Sequence, residues 1–172
     1  MKRRTTVCAT VMTGACLATL PYAASTAAAI PTAPVVIMNA TSGQKLIPDG
    51  YGTNHNDEVV VWANKFEEFP GGKRWSLERA DSGAWRIRNR DTDKCLAVAK
   101  NLQWGGRTAV VQSECRNSPA VEWEFRDRGT GTMIVSRAVN KAITPFKTDG
   151  NYWAVLDTPG GTADQLWNFV ID

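Results

Sequence analysis

From Val35 onward the apolar positions come in short runs, many of them alternating with polar residues, and clusters of Gly, Pro, Asn and Asp separate the runs. The stretches "AVVQSEC", "VEWEF", "TMIVS" and "WNFVI" predict strands of about five residues. "PDGYG", "FPGGK", "RDRGTG" and "DTPGG" predict turns. Little of the chain has the apolar spacing of an amphipathic helix. The fold class expected is therefore all-β.

The pattern also repeats. "VIMNATSGQKLIP" (Val36 to Pro48), "RIRNRDTDKCLAV" (Arg86 to Val98) and "MIVSRAVNKAITP" (Met133 to Pro145) align without a gap. Ile37, Ile87 and Ile134 share a column, as do Leu46, Leu96 and Ile143, and Lys45, Cys95 and Ala142. Each block reads as strand, turn, strand. A tryptophan follows that last column after 30, 28 and 25 residues, in "KRWSL" (Trp75), "VEWEF" (Trp123) and "QLWNF" (Trp167). These three tryptophans lie in alternating strands and are expected in the core.

Three units of about 45 residues, here 35–84, 85–131 and 132–172, are each too small to bury an apolar face alone. Arranged about a pseudo-threefold axis they would close one barrel and remove most sheet edges. The expected architecture is a β-trefoil over 35–172, preceded by a short linker at 30–34. The competing reading, a β-sandwich with accidental similarity, does not account for columns that agree in period as well as composition.

Residues 1–29 have a different character. Lys2, Arg3 and Arg4 precede an apolar stretch that ends in small residues at Ala27 and Ala29, the layout of a secretory signal peptide cut after Ala29. A membrane anchor would need a longer run than this one, which Thr, Gly and Pro21 interrupt. A lipoprotein cut before Cys16 would want an aliphatic residue where Thr13 stands. No later stretch could span a bilayer. The expected location is extracellular.

This segment changes the charge balance. It holds three of the twenty basic residues and none of the seventeen acids, so 17 of each remain after residue 29. A neutral chain has no field to steer phosphates, which argues against nucleic acid as a partner. Cys8 and Cys16 leave with the segment. Cys95 and Cys115 then form an even pair in an exported chain, which predicts a disulfide. Two cysteines and the lone His55 do not make a four-ligand zinc site, so no metal and no cofactor are expected.

The Gln-x-Trp element ("QLW", degraded to "VEW" and "KRW"), the "DKCL" turn and the second cysteine in "VVQSEC" resemble the ricin-B type lectin family across Val35 to Asp172. The resemblance implies carbohydrate binding without bond chemistry, in one shallow pocket per repeat. A carboxylate would accept from sugar hydroxyls, an aromatic ring would stack on the sugar's apolar face, and an amide would fix a further hydroxyl.

No repeat carries the full set. The middle repeat has Ala97 for the acid, Ser113 for the ring, and Ala120 and Val121 near the amide. The third has Thr144 and Val155, then Asp164 with Gln165, although Tyr152 and Trp153 lie close in sequence. The first has Ile47, Trp62, then Gly72 and Lys73, and Asp49 stands two residues late for the acid. The ligand-binding residues expected are Asp49 and Trp62 with Asn64 as helper, and second Tyr152, Trp153, Asp164 and Gln165. Trp104, in "NLQWGG", is a further aromatic beside turn residues; the other reading of these aromatics is that they cover the barrel mouth.

"ITPF", "EFPGGKRWSL" and "WRIRNRDTDKCL" also look like the A and C subunits of cytolethal distending toxin. That resemblance implies a host-surface-binding subunit, partnered by a nuclease subunit and a second trefoil. A trefoil inhibitor of secreted hydrolases is a third class, for which no inserting loop is identifiable. Enzyme readings are the weakest. His55 is the one histidine available to a nucleophile system, no Ser sits in a Gly-x-Ser-x-Gly turn, and Glu67–Glu68 and Asp91/Asp93 read as solvated turn acids.

Overall fold

The computed structural model describes residues 30–48, 59–64, 72–148 and 151–171, with only the backbone path for 59–64, 148, 151 and 152. Twelve strands run in chain order: β1 (Val35–Asn39), β2 (Lys45–Pro48), β3 (Val59–Asn64), β4 (Arg74–Arg79), β5 (Trp85–Asn89), β6 (Cys95–Trp104), β7 (Arg107–Ser113), β8 (Trp123–Asp127), β9 (Thr132–Ser136), β10 (Ala142–Thr148), β11 (Asn151–Asp157) and β12 (Leu166–Ile171). Single 3-10 turns at Pro119–Val121 and Ala163–Gln165 precede β8 and β12. The first of these is why β8 starts at Trp123 and not two residues earlier.

Antiparallel pairing closes six strands into a ring, β1–β4–β5–β8–β9–β12 and back to β1. The other six form the hairpins β2–β3, β6–β7 and β10–β11. These hairpins meet one another through β3–β7, β7–β11 and β11–β3, which caps one end of the barrel with a triangle of strands. This is the β-trefoil that the threefold recurrence predicts.

The aligned columns are physically linked. Trp75, Trp123 and Trp167 are each 0% exposed, beside Ile37, Ile87, Ile134, Leu46, Leu96 and Ile143. A buried indole N–H needs an acceptor. Each finds the equivalent carbonyl: Trp75 donates to Leu46 at 2.9 Å, Trp123 to Leu96 at 3.0 Å and Trp167 to Ile143 at 3.1 Å.

The polar turn inside each block is equally regular. Asn39 Oδ1 accepts from the N–H of Thr41 and Ser42, Asn89 Oδ1 from those of Asp91 and Thr92, and Ser136 Oγ from that of Ala138. Four residues after each of these stands a left-handed residue: Gly43 (φ 67°), Asp93 (φ 58°) and Asn140 (φ 50°). Gly, Asp and Asn are the residues that tolerate this region.

The same turns join one unit to the next. The N–H of Ala40 donates to Leu166, that of Arg90 to Arg74 and that of Arg137 to Glu122, in each case the carbonyl just before a core tryptophan. The ring of three units is thus closed by backbone hydrogen bonds as well as by apolar packing.

Cys95, which opens β6, is bonded to Cys115 just past the end of β7. Closing this loop restricts the unfolded chain by roughly 3 kcal/mol. Chemical denaturation with and without reductant is expected to differ by about that amount. Equal midpoints in the two conditions would show that the bridge adds nothing.

Candidate functional site

The longest strand, β6, ends at Trp104, and the turn Gly105–Gly106 returns the chain to Arg107. Both glycines have positive φ (55° and 74°), as a two-residue hairpin turn of this type requires. A shift in register between Val98 and Gln103 separates this outer half of the hairpin from the inner half. The tip then rests on β10. A Cβ on Gly105 would lie 2.5 Å from Phe146 Cζ, so any side chain there would push the ring aside, on a backbone already in the left-handed region.

This close approach assembles an aromatic cluster. The rings of Trp104 and Trp153 stack with centroids 4.6 Å apart and planes 9° from parallel. Phe146 pairs with Trp153 across β10–β11, and the Arg107 guanidinium lies 4.8 Å over the Phe146 ring. Arg107 Nε also donates to Asp157 Oδ2 at 2.9 Å. The Thr158 N–H and then Arg107 hold the Asp157 carboxyl below the usual carboxylate range. In backbone register Trp153 faces Trp62 of β3. Both Trp104 and Trp153 are half-buried. Trp104 Nε1 is buried and has no acceptor among the described residues. Stacked, half-buried rings suit a ligand that has flat apolar faces.

The expected site residues divide as follows. Trp153 belongs to this cluster. The backbone of Trp62, Asn64 and Tyr152 lies in β3 and β11, and their side chains fall outside the described residues. Asp49 and His55 lie wholly outside them. Asp164 has an exposed side chain, and its carbonyl accepts from Asn39 Nδ2 at 2.7 Å. Gln165 is 4% exposed. Its Nε2 donates to Thr144 Oγ1 and the Thr158 carbonyl, while its Oε1 accepts from the N–H of Gly160 and Gly161. Its amide capacity is used inside the protein, where it holds the 158–161 turn against β10.

Trp104 and Trp153 are strand residues, at the end of β6 and within β11, not members of loops. Arg107 carried no signal of its own in the sequence, and Phe146 entered only as the last residue of "ITPF". The Trp-Gly-Gly-Arg turn was the usable clue to a protruding hairpin.

The middle repeat keeps the shape of a pocket without its chemistry. A hollow of about 310 Å³ is lined by Ala97, Ser113, Ala120 and Val121, with Lys100 and Arg116 among its other walls. These first four are the positions where the lectin resemblance calls for acid, ring and amide. Among the described residues no group of three His, Cys, Asp or Glu could hold a metal ion, and no helix is long and apolar enough to cross a membrane.

The family model described as ricin-type β-trefoil lectin domain-like matches residues 29–105 and 73–154. The chain belongs to this family. No curated protein matches it in sequence. Among solved structures, the designed threefold-symmetric protein ThreeFoil is similar, with a TM-score of 0.69 at 20% identity over 80% of this chain and 97% of that one. The Haemophilus ducreyi cytolethal distending toxin gives 0.66 at 17% identity over 88% and 93%. The Rhizoctonia solani agglutinin gives 0.66 at 14% identity over 86% and 100%. At these identities the likeness shows the ricin-type trefoil fold and nothing finer.

Proposed function

We propose that this ricin-type trefoil is a secreted, non-catalytic module that binds glycans or glycosylated surfaces. The observation that carries the reading is the stacked Trp104–Trp153 pair at the hairpin cap. A pyranose presents a flat face of C–H groups that packs on an indole, while its hydroxyls meet nearby polar groups. Trp104 covers one face of Trp153. Ligand contact therefore falls on the outer faces of the pair, with Trp62 and Asn64 on the neighbouring β3 and Tyr152 next to Trp153 in β11. Asp49 remains the acid proposed for the first repeat, and Asp164 the polar group at the amide position of the third. Gln165 acts through the turn that it holds.

The similarity to a cytolethal distending toxin supports a second reading. In it the chain is a toxin subunit that binds a host surface beside an enzymatic subunit and a second trefoil. Two observations favour it: the middle-repeat hollow lacks sugar ligands, and the aromatic cluster extends across two hairpins. Both readings place recognition on the same aromatics.

A glycan array probed with the oxidised protein tests the first reading, with Trp62→Ala and Trp153→Ala alongside. Selective binding that one variant loses is the expected result. A folded protein that binds nothing on the array would overturn simple lectin activity and leave the protein-partnered reading, which a pull-down of co-secreted proteins then tests.

A further inference from the structure

At the barrel end away from the hairpin cap, the strands run past their neighbours. β12 pairs with β1 along its whole outer length, from Val35–Ile171 to Asn39–Trp167. Its pairing with β9 covers only Leu166 and Trp167. On that side Asn168–Ile171 has no strand partner among the described residues.

The phase of the ladder shows which groups are free. The Ala40 N–H donates to the Leu166 carbonyl, which makes Asn39–Trp167 a non-hydrogen-bonded pair. By the antiparallel alternation, the backbone groups of Asn168 and Val170 face β1. Those of Phe169 and Ile171 face the open side.

Pseudo-symmetry supplies an internal comparison. β4 runs past β1 in the same way, and β8 runs past β5. Their outer residues are Glu78 and Arg79, and Arg126 and Asp127, so each edge bears charges, which is how proteins protect free edges from pairing. The equivalent positions in β12 are Val170 and Ile171, which are 39% and 64% exposed. One edge of three has lost its charged guard.

A groove of about 680 Å³ adjoins this edge. Its lining includes Phe169, Val170, Phe125 and Trp85, with Arg79 and Asp127 as its two charged residues. Trp85 stacks on Phe125 at 5.3 Å, and Phe125 meets Phe169 at 4.8 Å. Arg79 lies over Trp85, and Asp127 accepts from the Gly129 N–H. Arg79 Nη1 also donates to the Gly83 carbonyl, but neither residue makes an ion pair among the described residues, so the groove holds one charge of each sign without an ionic partner.

We propose that the outer edge of β12 is a strand-addition site for an extended segment of a partner protein. The segment pairs with the backbone of Phe169 and Ile171 and places alternate apolar side chains in the groove. An acidic and a basic residue at its ends meet Arg79 and Asp127. Free backbone groups select a peptide strand, because a lipid or a sugar would leave the ladder unpaired. This site is separate from the hairpin aromatics and does not depend on glycan binding.

The test uses a fluorescein-labelled peptide, Glu-Val-Thr-Val-Thr-Val-Lys, and a control with proline at both threonines. Saturable anisotropy below about 1 mM is expected for the first peptide and not for the second. Hydrogen exchange at the Phe169 and Ile171 amides should slow about tenfold in the complex. Ile171→Asp and Val170→Lys should each weaken binding about tenfold or more. Both side chains are exposed, and an unchanged near-UV circular dichroism spectrum would confirm that each variant is folded. No saturable binding, or equal binding of the proline peptide, would overturn the proposal. So would a concentration-dependent dimer that shields the same amides without peptide, since the occupant would then be a second copy of the chain.

Discussion

Trp167→Ala is expected to lower the unfolding free energy by about 4 kcal/mol. Trp167 is fully buried among Ile37, Ile134, Ile143 and their neighbours, so truncation removes a large apolar surface and leaves a cavity. It also strands the Ile143 carbonyl, which accepts the indole N–H. A loss of this size is a large share of the usual 5–15 kcal/mol, roughly, of a folded domain. The melting temperature should fall by about 10 °C or more in a protein of this length. Trp167→Phe separates the two contributions, because it keeps most of the apolar volume and removes only the donor. Because the three repeats are equivalent, Trp75→Ala and Trp123→Ala should behave alike. A fall of less than about 2 °C in all three would contradict a shared core.

Trp153→Ala is expected to weaken glycan binding by about a hundredfold while leaving the fold intact. The variant loses its own stacking surface and removes the support under Trp104, whose ring lies 4.6 Å away. Two aromatic contacts at about 1–1.5 kcal/mol each account for the magnitude. Trp104→Ala should cost less, since Trp153 stays anchored in β11 opposite Phe146. An ordering with Trp104 as the larger loss would mean that the hairpin tip, not β11, holds the ligand. Isothermal titration with the best array ligand distinguishes the two orders.

The trefoil was legible because its determinants are local and repeated. Ile37, Ile87 and Ile134 mark one column of core positions, Leu46, Leu96 and Ile143 another, and a polar turn lies between the two in every repeat. The disulfide followed from the cysteine count and the expected export, before any geometry. The site was less legible for a physical reason. Trp104 meets Trp153 only because a Gly-Gly turn and a register shift bring the tip of β6–β7 over Phe146. No spacing in the sequence encodes that contact between hairpins. Gln165 shows the opposite difficulty. Its place as the Gln of the Gln-x-Trp element suggests ligand contact, but the 158–161 turn takes up its amide. The free edge of β12 was also out of reach, since Val170 and Ile171 read simply as strand residues until pairing showed which side lacks a neighbour.

The most direct measurement is a nuclear magnetic resonance titration of the indole N–H signals with an oligosaccharide that the array selects. The expected result is a shift at Trp104 and Trp153, with Trp75, Trp123 and Trp167 unmoved in their buried hydrogen bonds. Binding that leaves Trp104 and Trp153 unchanged and perturbs the backbone around Ala97 and Ser113 would contradict the aromatic-cap site and return recognition to the middle-repeat hollow.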